Sequence, residues 1–167
     1  MGRTNGFTLM EMLIVVSIML IIAAIAIPSL KHAKINADEA SAVASIRAIN
    51  TAEVTYQATY PSQGYAASLA NLGGAEPCAH SSATACLLDQ SLAGGVKSGY
   101  NFAAVADNAA NGANTSYVVG AAPAVFDQTG VHRFCSTDRN VIREDANADG
   151  STTPPNAQQC AGFSALH

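Results

Sequence analysis

Residues 6–30 read GFTLMEMLIVVSIMLIIAAIAIPSL, and this run carries no charged residue from Met12 to Leu30. Glu11 is the acid at its edge. A secretory signal peptide has a basic region before its apolar run and a small-residue cleavage site after it. Here the small residue, Gly6, comes before the apolar run. We therefore predict that the apolar segment is retained and that only Met1 to Gly6 is removed.

This arrangement resembles the prepilin signature of type IV pilins and type II secretion pseudopilins. The matching residues are Gly6, Phe7, Thr8, Leu9, Glu11 and Pro28. In that family a prepilin peptidase cuts after the glycine, methylates the new N-terminal Phe and leaves a Glu at the fifth position of the mature chain. The resemblance implies cleavage between Gly6 and Phe7, N-methylation of Phe7, and a role for Glu11 and Phe7 in subunit assembly.

The apolar run is long enough for one transmembrane helix, because about 20 apolar residues span a hydrocarbon core. A carboxylate near that core costs on the order of 3 kcal/mol, so Glu11 needs a cation as its partner. The amine of a cleaved Phe7 would attract it by roughly 4 kcal/mol at ~4 Å and an effective dielectric of ~20. Since a helix cannot easily fold its own amine back by one turn, we predict pairing with a neighbouring subunit. The alternative is an ordinary membrane anchor whose Glu11 reaches the lipid headgroups.

The residues from Pro28 onward predict how the helix continues. A proline inside a helix removes a backbone hydrogen bond, so Pro28 is expected to break or kink the helix. The resemblance implies that the helix is locally unwound before this proline in assembled pili. From residue 35 to 56, apolar residues recur at three- and four-residue steps, which predicts an amphipathic helix packed on a globular head. Tyr60-Pro61 and Gly64 are expected to end it.

Beyond this helix, short runs of strand-forming residues alternate with Gly, Asn and Asp turns. The predicted strands are Gly99 to Phe102, Ser116 to Val119, His132 to Cys135 and Asn140 to Arg143, with Val125-Phe126 and His132-Arg133 forming a hairpin and Gly120 and Pro123 breaking the chain after Val119. We predict an α+β fold in which a small antiparallel sheet packs on the C-terminal half of the long helix.

The predicted organisation has four parts. They are a leader at 1–6, a transmembrane and assembly helix at 7–30, an amphipathic helix of the head at 31–59, and a disulfide-stapled globular head at 60–167. The resemblance implies a single-pass protein of the inner membrane before assembly and an extracellular surface filament, a fimbrium, after assembly.

Four cysteines in an exported chain indicate disulfides, which form in oxidising compartments. The spacing suggests a small loop from Cys78 to Cys86 and a large one from Cys135 to Cys160, although the sequence alone allows three connectivities. A C-terminal loop closed by a disulfide is also common in the resembling family, which favours this sequential pairing. Free thiols or metal ligation by the cysteines are the alternatives.

The segment Asp145-Ala146-Asn147-Ala148-Asp149-Gly150 resembles the opening half of a calcium loop. Its oxygen ligands would come from Asp145, Asn147 and Asp149. The pattern is incomplete, because the twelfth position from Asp145 is Asn156 rather than an acid. Major secretion pseudopilins bind calcium in their C-terminal region, so the resemblance implies a candidate calcium site. The alternative is a solvated turn, and no other cofactor is indicated.

Several function classes find no support in the sequence. The four histidines are dispersed, no serine lies in a nucleophile elbow and no glycine-rich phosphate loop follows a predicted strand. We therefore predict that the chain is not an enzyme and has no catalytic residues. The net charge is −4, and no basic run interleaved with aromatic residues indicates a dedicated nucleic-acid surface.

The resemblance implies a structural function. We expect a type IV pilus subunit that polymerises with copies of itself into a helical homopolymer after leader cleavage. Its implied partners are the prepilin peptidase, the membrane, a pilus assembly ATPase and an inner-membrane platform. One alternative is a major pseudopilin of type II secretion with a calcium-binding C-terminal loop. Another is a membrane-anchored binding protein that never polymerises.

Overall fold

A computed structural model describes residues 7–75, 77–110 and 112–166 of the 167-residue chain. The predicted leader, Met1 to Gly6, lies outside these residues. The helices are α1 Leu9–Thr59, α2 Leu69–Leu72, α3 Gln90–Ala93 and α4 Ala157–Ala161. The strands are β1 Val96–Lys97, β2 Tyr100–Ala110, β3 Ala113–Pro123, β4 Arg133–Thr137, β5 Arg143–Asp145 and β6 Ser164–Ala165. The predicted α+β class is confirmed.

Helix α1 contributes to both of the compact units into which the chain divides. The first unit is Met1–Lys34, and the second unit is Ile35–His167. The helix ends at Thr59, directly before the Tyr60-Pro61 pair that was expected to end it. This end follows from the proline, which disfavours helical backbone in the residue before it.

Pro28 lies inside α1, and the helix is continuous through it. The helix break expected at this position is therefore absent from the single chain. A proline removes only one intrahelical hydrogen bond, the one that would reach the carbonyl of Ala24. The apolar turns on both sides of Pro28 are helical.

The six strands form one antiparallel sheet in the order β1-β2-β3-β4-β5-β6, so the predicted meander is present. β2 and β3 form a long hairpin whose register runs from Tyr100 opposite Pro123 to Ala110 opposite Ala113. The break expected after Val119 was wrong, because β3 continues through Gly120. A Cβ at Gly120 would lie 2.5 Å from the carbonyl oxygen of Pro155, so this glycine lets another segment cross the strand closely.

Two of the predicted strands were misplaced. Val125 and Phe126 belong to no strand, and Phe126 forms only an isolated bridge with Gly130 around a turn. The run from Asn140 was expected to be extended, but Asn140 has a φ of 57° and β5 begins only at Arg143. A left-handed residue turns the backbone, so the chain cannot enter the ladder until it has passed this point.

The core of the second unit lies between the C-terminal half of α1 and the sheet. Ile46 and Ile49 of α1 are fully buried and belong to the same apolar cluster as Phe102, Val119 and Phe134. These helix residues lie three positions apart and therefore share one face of the helix. The predicted packing of the amphipathic half of the helix on the sheet is thus present.

Candidate functional site

The first turn of α1 presents Glu11 in a capped helix terminus. The helix begins at Leu9, and the hydroxyl of Thr8 accepts a 3.3 Å hydrogen bond from the backbone N–H of Glu11. A hydroxyl residue followed three positions later by Glu is a common N-terminal cap pattern, and an acid in the first turn is stabilised by the helix dipole. The Thr8 to Glu11 spacing in the sequence could have revealed this cap, which was not predicted.

The helix surface after Glu11 is apolar and exposed on all sides. On both sides of Glu11, the exposed large apolar side chains of residues 7–30 are Phe7, Leu9, Met10, Met12, Leu13, Ile14, Val15, Val16, Ile18, Met19, Leu20, Ile21, Ile22, Ile25, Ile27 and Leu30. Ser17 is compatible with this surface because its hydroxyl donates a 2.7 Å hydrogen bond to the carbonyl of Leu13. Such a surface is stable only in a membrane or against other apolar helices.

In the part of the chain that the structure describes, α1 alone is long and apolar enough to cross a membrane. Its most apolar window has a mean hydropathy of 2.8. Residues 1–27 match a family model described as the prokaryotic N-terminal methylation motif. The chain carries the signature of type IV pilins and pseudopilins. Neither the curated proteins nor the solved structures compared with the chain give a match.

The methylation motif points to a structural protein that a prepilin peptidase processes. The apolar helix fits membrane anchoring of such a protein. Gly6, on the N-terminal side of the predicted cleavage, lies outside the described residues. Phe7 is exposed and precedes the first turn of α1, two residues before the helix begins at Leu9. The matched motif ends at residue 27 and does not include the head.

Two disulfides lie in the head, between Cys78 and Cys86 and between Cys135 and Cys160. This is the sequential pairing that the spacing and the resemblance favoured. Cys135 lies in β4 and Cys160 in α4, and both are completely buried. The larger loop therefore attaches the C-terminal helix to the sheet, whereas the smaller one closes a surface loop after α2.

The candidate calcium residues lie at the end of β5 and in the turn that follows. Asp145 accepts hydrogen bonds of 2.7 Å and 3.2 Å from Nη2 and Nε of Arg133. Asp149 Oδ1 lies 3.6 Å from the same Nη2. Asn147 is buried, and its side chain is hydrogen-bonded at both ends to the backbone of Ser151. The structure thus brings Asp145 and Asp149 together around Arg133 and directs Asn147 elsewhere.

Arg133 was not predicted as a partner of this loop. Arg133 begins β4 and lies opposite Asp145 in the β4 and β5 register, which places the two side chains on one face of the sheet. The two residues are separated in the chain by a turn, and no local pattern predicts their pairing. A correct register for β5 would have revealed it, but the expected strand was placed too early.

Proposed function

We propose that this protein is the structural subunit of a type IV pilus. The observation that carries the proposal is one acid, Glu11, in the capped first turn of a helix whose other side chains up to Leu30 are uncharged and, apart from the half-buried Ala23, exposed. The Gly6-Phe7 junction directly before this turn provides the processing site. A simple membrane anchor requires neither the junction nor the position of the acid.

The exposed apolar helix is suited to transfer from the membrane to a filament core, since both environments exclude water. In the membrane it contacts lipid, and in a filament it contacts the equivalent helices of neighbouring subunits. Each keeps apolar surface from water, which contributes about 25 cal/mol per Å². A pilus assembly ATPase and an inner-membrane platform would extract the processed chain, with residues 1–6 removed and residues 7–30 as the assembly helix.

Glu11 supplies the specific contact in this proposal. Inside a filament core its carboxylate needs a cation, and the methylated amine of Phe7 in a neighbouring subunit is the group that processing creates. One such pair in each subunit sets the axial register. Apolar contacts alone leave the register open, because they tolerate sliding of one helix along another.

Glu11→Gln tests the proposal, since it removes the charge and keeps the shape. We expect the variant to enter the membrane normally and to yield no sheared surface filaments. Glu144→Gln in β5 is the matched control, and it should assemble like the wild type. Filaments of normal abundance from Glu11→Gln would instead support an anchored protein that does not use this pair.

Mass spectrometry of the N-terminal peptide separates the pilus from its alternatives. A chain that begins at methylated Phe7 in sheared surface filaments supports the pilus subunit. The same peptide confined to the membrane fraction supports a major pseudopilin, the second candidate, whose signature is the same methylation motif. A chain that begins at Met1 in both fractions contradicts processing and both assembly functions.

A further inference from the structure

The family resemblance implies calcium in the C-terminal loop, and the side chains there can be tested for their fit to it. A calcium ion takes six to eight oxygen ligands directed at one point. Asn147 does not direct its oxygen to the carboxylates, since Oδ1 accepts a 2.9 Å hydrogen bond from the Ser151 N–H. Its Nδ2 donates to the carbonyl of Ser151 at 3.0 Å. The middle ligand of the pattern is therefore engaged in closing the turn.

The two carboxylates of the pattern already have a cation. Arg133 is 7% exposed, and its Nη2 lies 2.7 Å from Asp145 and 3.6 Å from Asp149. The Nε atom also donates to Asp145, so one guanidinium engages this carboxylate through two hydrogen bonds. Both donors reach the same oxygen, Oδ2, and such charge-assisted hydrogen bonds are stronger than hydrogen bonds between neutral groups.

The position of Arg133 is held by the fold around it. Its guanidinium carbon lies 5.5 Å from the centre of the Phe163 ring, which follows α4. The backbone of β4 pairs Arg133 directly with Asp145. Withdrawal of this side chain to admit a metal ion would break the contact with the ring and leave a buried charge without its partner. A calcium ion beside the guanidinium would in turn be repelled by it.

These side chains therefore do not fit calcium, since Asn147 faces away, Asp145 is hydrogen-bonded to Arg133, and Asp149 lies 3.6 Å from the same guanidinium. We infer that the Arg133 guanidinium is the built-in cation of this loop and that the head folds without calcium. We call Arg133, Asp145 and Asp149 the arginine clamp. The clamp is a feature of the head and would serve a pilus subunit and a pseudopilin alike.

Thermal unfolding of the full chain in detergent micelles tests this inference. The signal is the near-ultraviolet circular dichroism of the tyrosines, measured with excess EDTA and with excess calcium. We expect the same Tm in both conditions, and no heat of calcium binding by titration calorimetry. A Tm that falls with EDTA and returns with calcium, or a measurable binding heat, would overturn the inference.

Arg133→Gln tests the clamp directly, with Arg139→Gln as a control that removes the same charge from an exposed position. We expect Arg133→Gln to lower the Tm by about 5 °C or more. The control should leave the Tm near that of the wild type. If Arg133→Gln does not fold, Arg133→Lys takes its place. This variant keeps the charge but loses the paired donors, and we expect it to fold with a Tm below that of the wild type. An unchanged Tm for Arg133→Gln would contradict the clamp.

Discussion

Glu53 Oε2 accepts a 2.9 Å hydrogen bond from the backbone N–H of Ala66, and this contact ties α1 to the segment that follows it. Both residues are completely buried, and Glu53 Oε1 has no hydrogen-bond partner among the residues that the structure describes. Burial raises the pKa of Glu53 to about 7, although the hydrogen bond from Ala66 opposes this shift. The tyrosines nearby, Tyr65 and Tyr117, supply no positive charge to stabilise the carboxylate.

The raised pKa of Glu53 predicts a pH-dependent stability. The folded state holds this proton more tightly than the unfolded state, in which the pKa is near 4.5. The contribution to the free energy of unfolding is therefore fully present below about pH 4.5 and is lost as the pH rises through about 7. The loss is on the order of 3 kcal/mol. Chemical unfolding at a series of pH values measures it.

Glu53→Gln isolates this effect, because glutamine can still accept from the Ala66 N–H but does not titrate in this range. We expect the difference in unfolding free energy between the wild type and Glu53→Gln to change between about pH 4.5 and about pH 7. Asp138→Asn, at an exposed position, should not remove that pH dependence. A pH profile of Glu53→Gln parallel to that of the wild type would show that Glu53 is not the responsible group.

Glu39 connects α1 to the residues before β4, and its removal should destabilise the head. Its Oε1 accepts from the backbone N–H groups of Val131 at 2.8 Å and His132 at 3.0 Å. Glu39→Ala leaves both donors without this acceptor, which should cost about 1 to 3 kcal/mol. Glu39→Gln keeps one carbonyl oxygen and should lose less. Equal losses for the two variants in urea unfolding would argue against the hydrogen bonds as the cause.

Alanine substitutions at two glycines with positive φ distinguish the cost of backbone strain from the cost of a steric clash. A Cβ at Gly64 would lie 2.0 Å from the carbonyl oxygen of Asn114, whereas a Cβ at Gly112 would meet no described atom within 4 Å. Gly112→Ala should cost only the left-handed strain, about 1 to 2 kcal/mol. Gly64→Ala adds a backbone clash of about 1 to 3 kcal/mol. Similar unfolding free energies for both variants would contradict the close approach at Gly64.

The two disulfides should differ in their contributions to stability. In the chain-entropy model, the loop of 25 residues between Cys135 and Cys160 stabilises by roughly 3 to 4 kcal/mol, against roughly 2 to 3 kcal/mol for the loop of 8 residues between Cys78 and Cys86. Replacement of the buried pair by alanines also creates a cavity. The Cys135→Ala, Cys160→Ala variant should therefore unfold at lower denaturant than the matching variant of the smaller loop. The reverse order would contradict this ranking.

The amino-acid sequence alone determined those structural features that depend on residues close together along the chain. The uncharged run with Glu11 at its edge predicted the apolar helix, because the hydropathy and length of one continuous segment are sufficient to indicate such a helix. The three- and four-residue spacing after residue 35 predicted the helix face that packs on the sheet. The helix end at Thr59 followed from Pro61. These features need no knowledge of the sheet, and the family match at residues 1–27 agrees with the first of them.

Tertiary packing decided the remainder. β3 continues through Gly120 because this residue pairs with Ala103 of β2 and Cys135 of β4, and the close approach of Pro155 comes from a distant part of the sequence. The start of β5 depends on the left-handed backbone at Asn140, and an asparagine in a sequence permits this conformation without requiring it. Strand ends therefore could not be read from composition alone.

The charged contacts of the head also became visible only in the fold. Arg133 reaches Asp145 because two strands adopt one register, and Glu53 reaches Ala66 because the chain folds back after α1. A hydrogen bond acts over about 3 Å, so such a pair depends on where the backbone places both groups. The chemical groups are present in the sequence, but their distances are set by packing.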